Sequence, residues 1–127
     1  MKILVVDDNP LILNSLSDLL FAQGYFVNTG CHGLDASEKL QNEYYDLVIV
    51  DHLMPIMNGI QLTKHIRQHK TYLDTPVILM TTQGHQSLKL ICNTNLFSAV
   101  IDKPIDVPNL LKLINGLLSV NTRYQSL

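Results

Sequence analysis

The chain has 127 residues, of which 46% are hydrophobic and 16% are charged. This length corresponds to a single domain, and the low charged fraction excludes an intrinsically disordered chain. The formal net charge of −2 excludes nucleic-acid binding through a general basic surface, and no apolar run is long enough to span a membrane.

Short apolar runs alternate with helical patterns along the chain. Lys2–Val6 predicts a first strand. Asn9 and Pro10 then predict a helix start, with Asn as N-cap and Pro at the first helical position, and Gly24 ends that helix. The other predicted elements are strand Tyr25–Asn28, helix Leu34–Asn42, strand Leu47–Val50, a helix carrying Leu62 and Ile66, strand Pro76–Met80, helix Gln86–Asn93, strand Ala99–Ile101 and a last helix carrying Leu110, Leu111, Ile114 and Leu117.

The predicted strands indicate the fold class. They are rich in Val, Ile and Leu without polar alternation, which is typical of parallel strands buried on both faces by helices. Five strand–helix pairs predict an α/β fold with a doubly wound, five-stranded parallel sheet and five helices. We expect residues 1–118 to form this domain, and the more polar residues 119–127 to form a C-terminal tail or the start of a linker.

Polar residues follow four of the predicted strands. Asp7 and Asp8 follow the first strand, Asp51 the third, Thr81 the fourth and Lys103 the fifth. Ligands bind at the carboxyl ends of the strands in such sheets, so three carboxylates are expected in one pocket. Two carboxylates about 5 Å apart repel each other by about 3 kcal/mol at an effective dielectric constant of about 20. The cluster therefore predicts either a bound cation or retained protons, and oxygen ligands alone favour Mg²⁺ over Ca²⁺.

The same residue types are suited to phosphoryl chemistry. The cation and Lys103 would neutralise charge on the phosphoryl oxygens while Asp51 attacks phosphorus, which predicts an aspartyl phosphate. We predict Asp51 as the sole acceptor because it is the only acid expected to face both the metal and Lys103.

Four motifs carry a family resemblance: LVVDDNP at the start of the chain, DHLMPIMNG at 51–59, LMTT at the end of the fourth strand and DKP at 102–104. Together, in this order and spacing, they resemble the receiver domain of two-component response regulators, in particular the chemotaxis receivers. The resemblance covers essentially the whole chain. It implies the flavodoxin-like strand order 2-1-3-4-5.

The resemblance also implies roles for the acidic residues. Asp51 would accept a phosphoryl group from a phosphohistidine on a sensor histidine kinase or a histidine phosphotransfer protein. Asp8 would bind Mg²⁺ directly and Asp7 mostly through water. The backbone carbonyl of Leu53 would be a third protein ligand of the metal.

The remaining site residues include both matches to the family and departures from it. Thr81 and Lys103 would hold phosphoryl oxygens, and Lys103-Pro104 would be a cis peptide. Three residues before the lysine, where the family usually has Tyr or Phe, this chain has Val100. The residue after the threonine is Thr82, where Ala, Ser or Gly is usual. We predict that phosphorylation still occurs but that its signal to the fifth strand is small or is carried by the loop after Thr81.

The resemblance further implies a signalling protein that catalyses only its own phosphorylation and slow dephosphorylation. Its output would be a surface change read by an unknown downstream protein, with no direct contact to nucleic acid or membrane, and weak homodimerisation is compatible with this. Cys31 and Cys92 have neither CxxC nor metal-site spacing, and the N-terminus does not match a signal peptide. These features predict a cytoplasmic protein with reduced thiols.

The site residues disfavour three other functions. A flavodoxin-type electron carrier would need Ser, Thr and Gly donors in its first loop, where this chain has two acids that repel a phosphate. An Asp-dependent phosphohydrolase would carry a DxD motif on the first strand and an inserted cap. A receiver that has lost phosphorylation and serves only for docking is disfavoured because all five site residues are present.

The histidines admit both functional and structural interpretations. His52 follows Asp51 directly and could modulate access to it or its pH dependence, but we expect a partly exposed loop histidine. His65 and His69 have the i, i+4 spacing of a zinc site, but we expect solvated side chains because no third ligand is near. The segment 30–33 lacks the pattern of a phosphate-binding loop.

Overall fold

The protein has the predicted α/β architecture. The computed structural model describes the backbone of residues 1–125 and the side chains of residues 1–84 and 86–119. Five parallel strands form one sheet in the order β2-β1-β3-β4-β5, and five α-helices connect and follow them. The predicted fold class and strand order are therefore confirmed.

The helices and strands lie close to their predicted positions. Their bounds are β1 Lys2–Val6, α1 Pro10–Ala22, β2 Phe26–Gly30, α2 Gly33–Asn42, β3 Leu47–Asp51, α3 Gly59–Ile66, β4 Val77–Thr81, α4 His85–Ile91, β5 Ala99–Asp102 and α5 Val107–Gln125. Short 3-10 turns at Lys70–Tyr72 and Thr94–Leu96 follow α3 and α4. Strand β2 continues two residues beyond its predicted end because Thr29 and Gly30 pair with the end of β1.

The last helix, α5, crosses the predicted domain boundary at residue 118. Helix α5 continues to Gln125, so its backbone crosses most of the segment 119–127 that the sequence predicts as a tail. The side chains of residues 120–127 lie outside the described part of the chain. The predicted boundary at residue 118 therefore stays a prediction.

Two hydrophobic cores hold the helices against the two faces of the sheet. Alternate residues of β1 point to opposite faces, as in any strand, so Leu4 and Val6 belong to one core and Ile3 and Val5 to the other. The first core also contains residues of α2, α3 and α4, and the second contains residues of α1 and α5. Every residue of β3 and β4 is buried, which explains why these strands have no polar alternation.

Helix α1 begins and ends at the residues that the sequence predicts. The Asn9 side chain accepts a hydrogen bond from the Leu11 amide at 3.0 Å, and Pro10 is the first helical residue. Gly24, just beyond the helix, has a φ of 93°, a conformation that costs glycine little. The predicted cap and the predicted stop are confirmed.

Helix α3 is short, and this separates the two histidines of the zinc-like pattern. The helix ends at Ile66, so His69 lies outside it, and the imidazole rings of His65 and His69 pack edge to face with centroids 5.3 Å apart. Beyond the helix, the Arg67 guanidinium donates hydrogen bonds of 2.7–3.2 Å to the carbonyls of Tyr72, Thr75 and Leu96. Arg67 thereby ties the segment after α3 to the segment before β5.

None of the helices in the described part of the chain combines the length and the apolar character needed to cross a membrane.

Candidate functional site

The parallel register brings the ends of β1 and β3 side by side. Val6 pairs with Val50, so Asp7 and Asp51 each leave the sheet at the same edge. The Asp7 amide donates to the Gly30 carbonyl at 3.1 Å, which extends the β1–β2 ladder by one residue and fixes the Asp7 backbone. The site residues are thus carried by the rigid edge of the sheet.

The three carboxylates converge as the sequence predicts. One oxygen each from Asp7, Asp8 and Asp51 lies within 4.8 Å of the others. Asp7 is fully buried, Asp51 is 5% exposed, and Asp8 is exposed at the mouth of the site. Among the described residues, this is the one group of three side chains that could hold a metal ion.

Lys103 crosses the site and bridges two of the acids. Its ammonium lies 3.0 Å from Oδ2 of Asp7 and 2.8 Å from Oδ1 of Asp51. The expectation that Asp51 is the only acid facing both the metal site and Lys103 is therefore wrong. The Asp7 carboxylate, which accepts from the Asn9 amide at 2.9 Å, belongs to the same acidic group and contacts the same ammonium. Three carboxylates against one ammonium leave two negative charges uncompensated when all groups are ionised.

The electrostatics of the cluster follow from its burial. Burial raises the pKa of the Asp51 carboxyl above its ordinary value; the contact with Lys103 opposes this rise, and the charges of Asp7 and Asp8 add to it. For Lys103, burial disfavours the ammonium, but its hydrogen bonds to Asp51 and Asp7 outweigh this and raise its pKa. The lysine thus stays charged, and Asp51 is the acid whose ionisation the site penalises.

The carboxylates open into a cleft of about 300 Å³. Leu53, half of whose surface is exposed, lies at its rim, and Thr82 is exposed beside it. The cleft is lined by Asp7, Asp8, Asn9, Ile12, Asp51, His52, Leu53, Thr81, Thr82 and Lys103. All the residues that the sequence predicts for the site are therefore brought together in one small polar cleft.

Thr81 and His52 form a buried pair in this cleft. The Thr81 side chain is 1% exposed, and its Oγ1 accepts a hydrogen bond from the Gln83 amide at 2.9 Å. The same oxygen lies 2.9 Å from Nδ1 of His52, which is 3% exposed. The expectation of a partly exposed loop histidine is therefore wrong. Burial lowers the pKa of His52, which favours the neutral imidazole.

Strand register explains why His52 is buried, and it is the signal that could have revealed this residue. Asp51 pairs with Met80, and the His52 amide continues the ladder with a 2.8 Å hydrogen bond to the Met80 carbonyl. Position 52 consequently lies beside position 81. The sequence shows a histidine after a strand, but only the register shows which residue it faces.

The loop between β3 and α3 is fixed by Gly59. A Cβ atom at this position would lie 2.2 Å from the Asp51 carbonyl oxygen, and the Gly59 amide donates to the His52 carbonyl at 2.8 Å. Only glycine allows the backbone of α3 to approach β3 this closely. The start of α3 thereby holds the backbone of Asp51 and His52.

The end of β5 positions the lysine, and the departure at Val100 lies on the same strand. The Lys103 amide donates to the Thr81 carbonyl at 2.9 Å, and Lys103-Pro104 is a cis peptide, as the resemblance implies. Val100 is half-buried and packs against the core on the α2–α4 face of the sheet. The strand that carries Lys103 to the acidic cleft thus has a small aliphatic side chain at position 100, where the family usually has an aromatic one.

The chain is similar in sequence to known signalling proteins. Protein PilH from Pseudomonas aeruginosa is 31% identical over 93% of this chain and 98% of its own length. Hybrid signal transduction histidine kinase D from Dictyostelium discoideum is 28% identical over 98% of this chain, but the chain spans 8% of that protein.

Solved structures give the same result. Chemotaxis protein CheY4 from Vibrio cholerae has a TM-score of 0.85 and 31% identity over 91% of this chain and 97% of its own. The receiver domain of the sensor histidine kinase PA1611 from Pseudomonas aeruginosa, described with a magnesium ion in its active-site cleft, has a TM-score of 0.84 and 24% identity over 93% of this chain and 97% of its own.

A family model for the response regulator receiver domain matches residues 3–115. Receiver domains are phosphorylation-dependent switches and not enzymes, and the acidic pocket of Asp7, Asp8 and Asp51 implies a phosphoacceptor in two-component signalling. The chain belongs to the response regulator receiver family and has a CheY-like fold.

Proposed function

We propose that this chain is the phosphoacceptor of a two-component phosphorelay and that Asp51 receives the phosphoryl group. One observation supports Asp51 over its neighbour. Both oxygens of Asp7 are engaged, one by the Asn9 amide and one by Lys103. Asp51 contacts Lys103 through Oδ1, while Oδ2 has no hydrogen-bond partner within the described residues. It therefore keeps one oxygen free to act as a nucleophile.

The proposed step is an in-line displacement. Oδ2 of Asp51 attacks phosphorus, the P–N bond of a phosphohistidine breaks, and the imidazole nitrogen of the donor keeps the electron pair. The product is an aspartyl phosphate. Lys103, already 2.8 Å from Oδ1, holds one phosphoryl oxygen, and the Thr81 hydroxyl donates to another.

The donor set fits Mg²⁺. The ligand oxygens are hard and negatively charged, they lie close together, and the two uncompensated charges match a divalent cation. We assign Asp7, Asp8, Asp51 and the backbone carbonyl of Leu53 as its ligands. When bound, the ion neutralises charge on the phosphoryl oxygens. The magnesium ion described in the PA1611 receiver domain supports this choice.

The proposed phosphoryl donor is a sensor histidine kinase or a histidine phosphotransfer protein in the cytoplasm. The proposed output is binding of the phosphorylated form to a downstream protein. We assign the receiver to residues 1–118 and the tail or linker to residues 119–127. The proposed function needs no direct contact with nucleic acid or membrane, and it allows weak homodimerisation.

Phosphotransfer from a small donor tests the proposal. Wild type and Asp51→Asn are incubated with Mg²⁺ and acetyl phosphate, and intact mass is measured. We expect one added phosphoryl group on wild type and none on Asp51→Asn. Glu38→Gln, which removes an exposed carboxylate from α2, is the matched control and should react like wild type. Equal phosphorylation of the Asn variant would refute the assignment of Asp51.

The same samples separate the alternatives. A receiver that serves only for docking would show no added mass under any condition. A flavodoxin-type carrier would purify with flavin colour, and a phosphohydrolase would turn over a phosphate monoester many times per chain. Any of these three results would count against a phosphoacceptor.

A further inference from the structure

The hydroxyl of Thr81 lies in a short buried chain of hydrogen bonds. The Gln83 amide donates to Oγ1 at 2.9 Å, and Nδ1 of His52 lies 2.9 Å from the same oxygen. The backbone of His52 is held on both sides, by its amide to Met80 and by its carbonyl to Gly59, each at 2.8 Å. The imidazole therefore meets the hydroxyl from a fixed position.

The proton of this hydroxyl needs an acceptor. Thr81 is 1% exposed, and one lone pair of Oγ1 is already used by the Gln83 amide. Nδ1 of His52 is the one other partner of Oγ1 among the described residues. If Nδ1 carried a proton, the hydroxyl proton would be buried without an acceptor, which costs more free energy than an ordinary hydrogen bond contributes. The satisfied arrangement has Thr81 donating to an unprotonated Nδ1.

The other ring nitrogen is free to carry the imidazole proton. Nε2 of His52 has no hydrogen-bond partner among the described residues, so none of their groups prevents it from carrying the proton. A neutral imidazole protonated on Nε2 therefore leaves Nδ1 unprotonated and able to accept from Thr81.

We propose that His52 is a positioning residue that holds the Thr81 hydroxyl in the unphosphorylated arrangement and competes with the phosphoryl group for its proton. This inference rests on the proposed function, in which the same hydroxyl donates to a phosphoryl oxygen. The proton stays on Oγ1 throughout, and only its acceptor changes. A ligand shifts such an equilibrium by its differential interaction with the two states, so the bond to His52 lowers the affinity of the site for the phosphoryl group.

Substitutions of His52 by Asn and by Gln distinguish the contribution of Nδ1 from that of Nε2. In His52→Asn, the amide oxygen occupies about the place of Nδ1 and can still accept from Thr81. In His52→Gln, the amide lies about where Nε2 lies, so the acceptor is lost although the side chain stays polar. His52→Phe keeps a ring and removes both nitrogens. A role in packing alone would not distinguish Asn from Gln in this order.

The first measurement is the affinity for fluoroberyllate with Mg²⁺, a mimic of the phosphoryl group. We expect His52→Phe and His52→Gln to bind it about fivefold more tightly than wild type, the ratio that corresponds to one net hydrogen bond. His52→Asn should stay within about twofold of wild type. If the Phe variant does not fold, the Gln and Asn pair makes the same comparison.

The second measurement is the ¹⁵N spectrum of the His52 ring in the wild-type protein. We expect Nδ1 to be unprotonated and Nε2 protonated, the Nδ1 resonance to change in Thr81→Val, and the same resonance to change when fluoroberyllate is added. A protonated Nδ1 in the free protein would overturn the inference.

The outcomes distinguish this inference from the function on which it rests. If wild type binds fluoroberyllate and the Phe and Gln variants bind it equally well or more weakly, the competition by His52 is refuted and the phosphoacceptor function stands. If neither wild type nor any variant binds fluoroberyllate, both are refuted.

Discussion

The exposed acid of the cluster offers a quantitative test of the site's electrostatics. Two unit charges 4.8 Å apart repel each other by about 3.5 kcal/mol at a dielectric constant of about 20, and by about 0.9 kcal/mol in water. Asp8 is exposed, so the lower figure applies to its interactions with Asp7 and Asp51. Asp8 also precedes α1, where a negative charge contributes about 0.5 kcal/mol. The Lys103 ammonium, which contacts both of these acids, offsets one of the two repulsions, so the net repulsion removed in Asp8→Asn is about 0.4 kcal/mol.

We expect the order of stabilities to reverse when Mg²⁺ is added. Without Mg²⁺, Asp8→Asn should be more stable than wild type by about 0.4 kcal/mol, which raises the melting temperature by roughly 1–2 °C. Mg²⁺ at ten times the wild-type Kd stabilises wild type by about 1.4 kcal/mol, and the variant should lose most of this gain. Thermal and urea unfolding at low ionic strength, with and without Mg²⁺, measure both the metal-free difference in stability and the stabilisation by Mg²⁺.

The control for this experiment is Glu38→Gln, which removes a carboxylate from the exposed face of α2. It should raise the metal-free stability by less than Asp8→Asn does, and it should leave the response to Mg²⁺ unchanged. A loss of metal-free stability in Asp8→Asn would refute the reasoning that the cluster is strained by repulsion. An undiminished Mg²⁺ response would refute Asp8 as a ligand.

Three further predictions concern the framework and the switch. Gly59→Ala should lower the free energy of unfolding, measured in urea, by about 3 kcal/mol or more, because the new Cβ would meet the Asp51 carbonyl oxygen. The control Gly116→Ala, whose Cβ would lie in open space on α5, should be neutral or stabilising in the same assay. Arg67→Lys should cost about 1–3 kcal/mol in the same assay, because an ammonium cannot reach three separated carbonyls as a guanidinium does, and an unchanged midpoint would contradict this. Val100→Tyr should enlarge the fluoroberyllate-induced amide shifts along β5 and α5, and equal shifts in wild type would show that an aromatic side chain is dispensable here.

Features that depend on a few neighbouring residues could be predicted from the sequence. The start of α1 at Asn9 and Pro10 and its end before Gly24 follow from capping and backbone preference, which act within one helical turn. The buried strands follow from runs of branched apolar residues. Because parallel strands have their carboxyl ends at one edge, the polar residues after them could be assigned to one site before any distance was known.

Only the tertiary structure decided which side chains of that site touch. Lys103 contacts Asp7 as well as Asp51, although Asp7 is far away in the chain, because β5 and β1 end at the same edge of the sheet. His52 is buried against Thr81 because the β3–β4 register sets position 52 beside position 81. Composition and periodicity are properties of single segments, whereas register is set by the packing of several strands and helices together. The presence of acids at the ends of the strands could therefore be recognised within single segments of the sequence. The hydrogen bond that holds the Thr81 hydroxyl, in contrast, forms only when β3 and β4 pair.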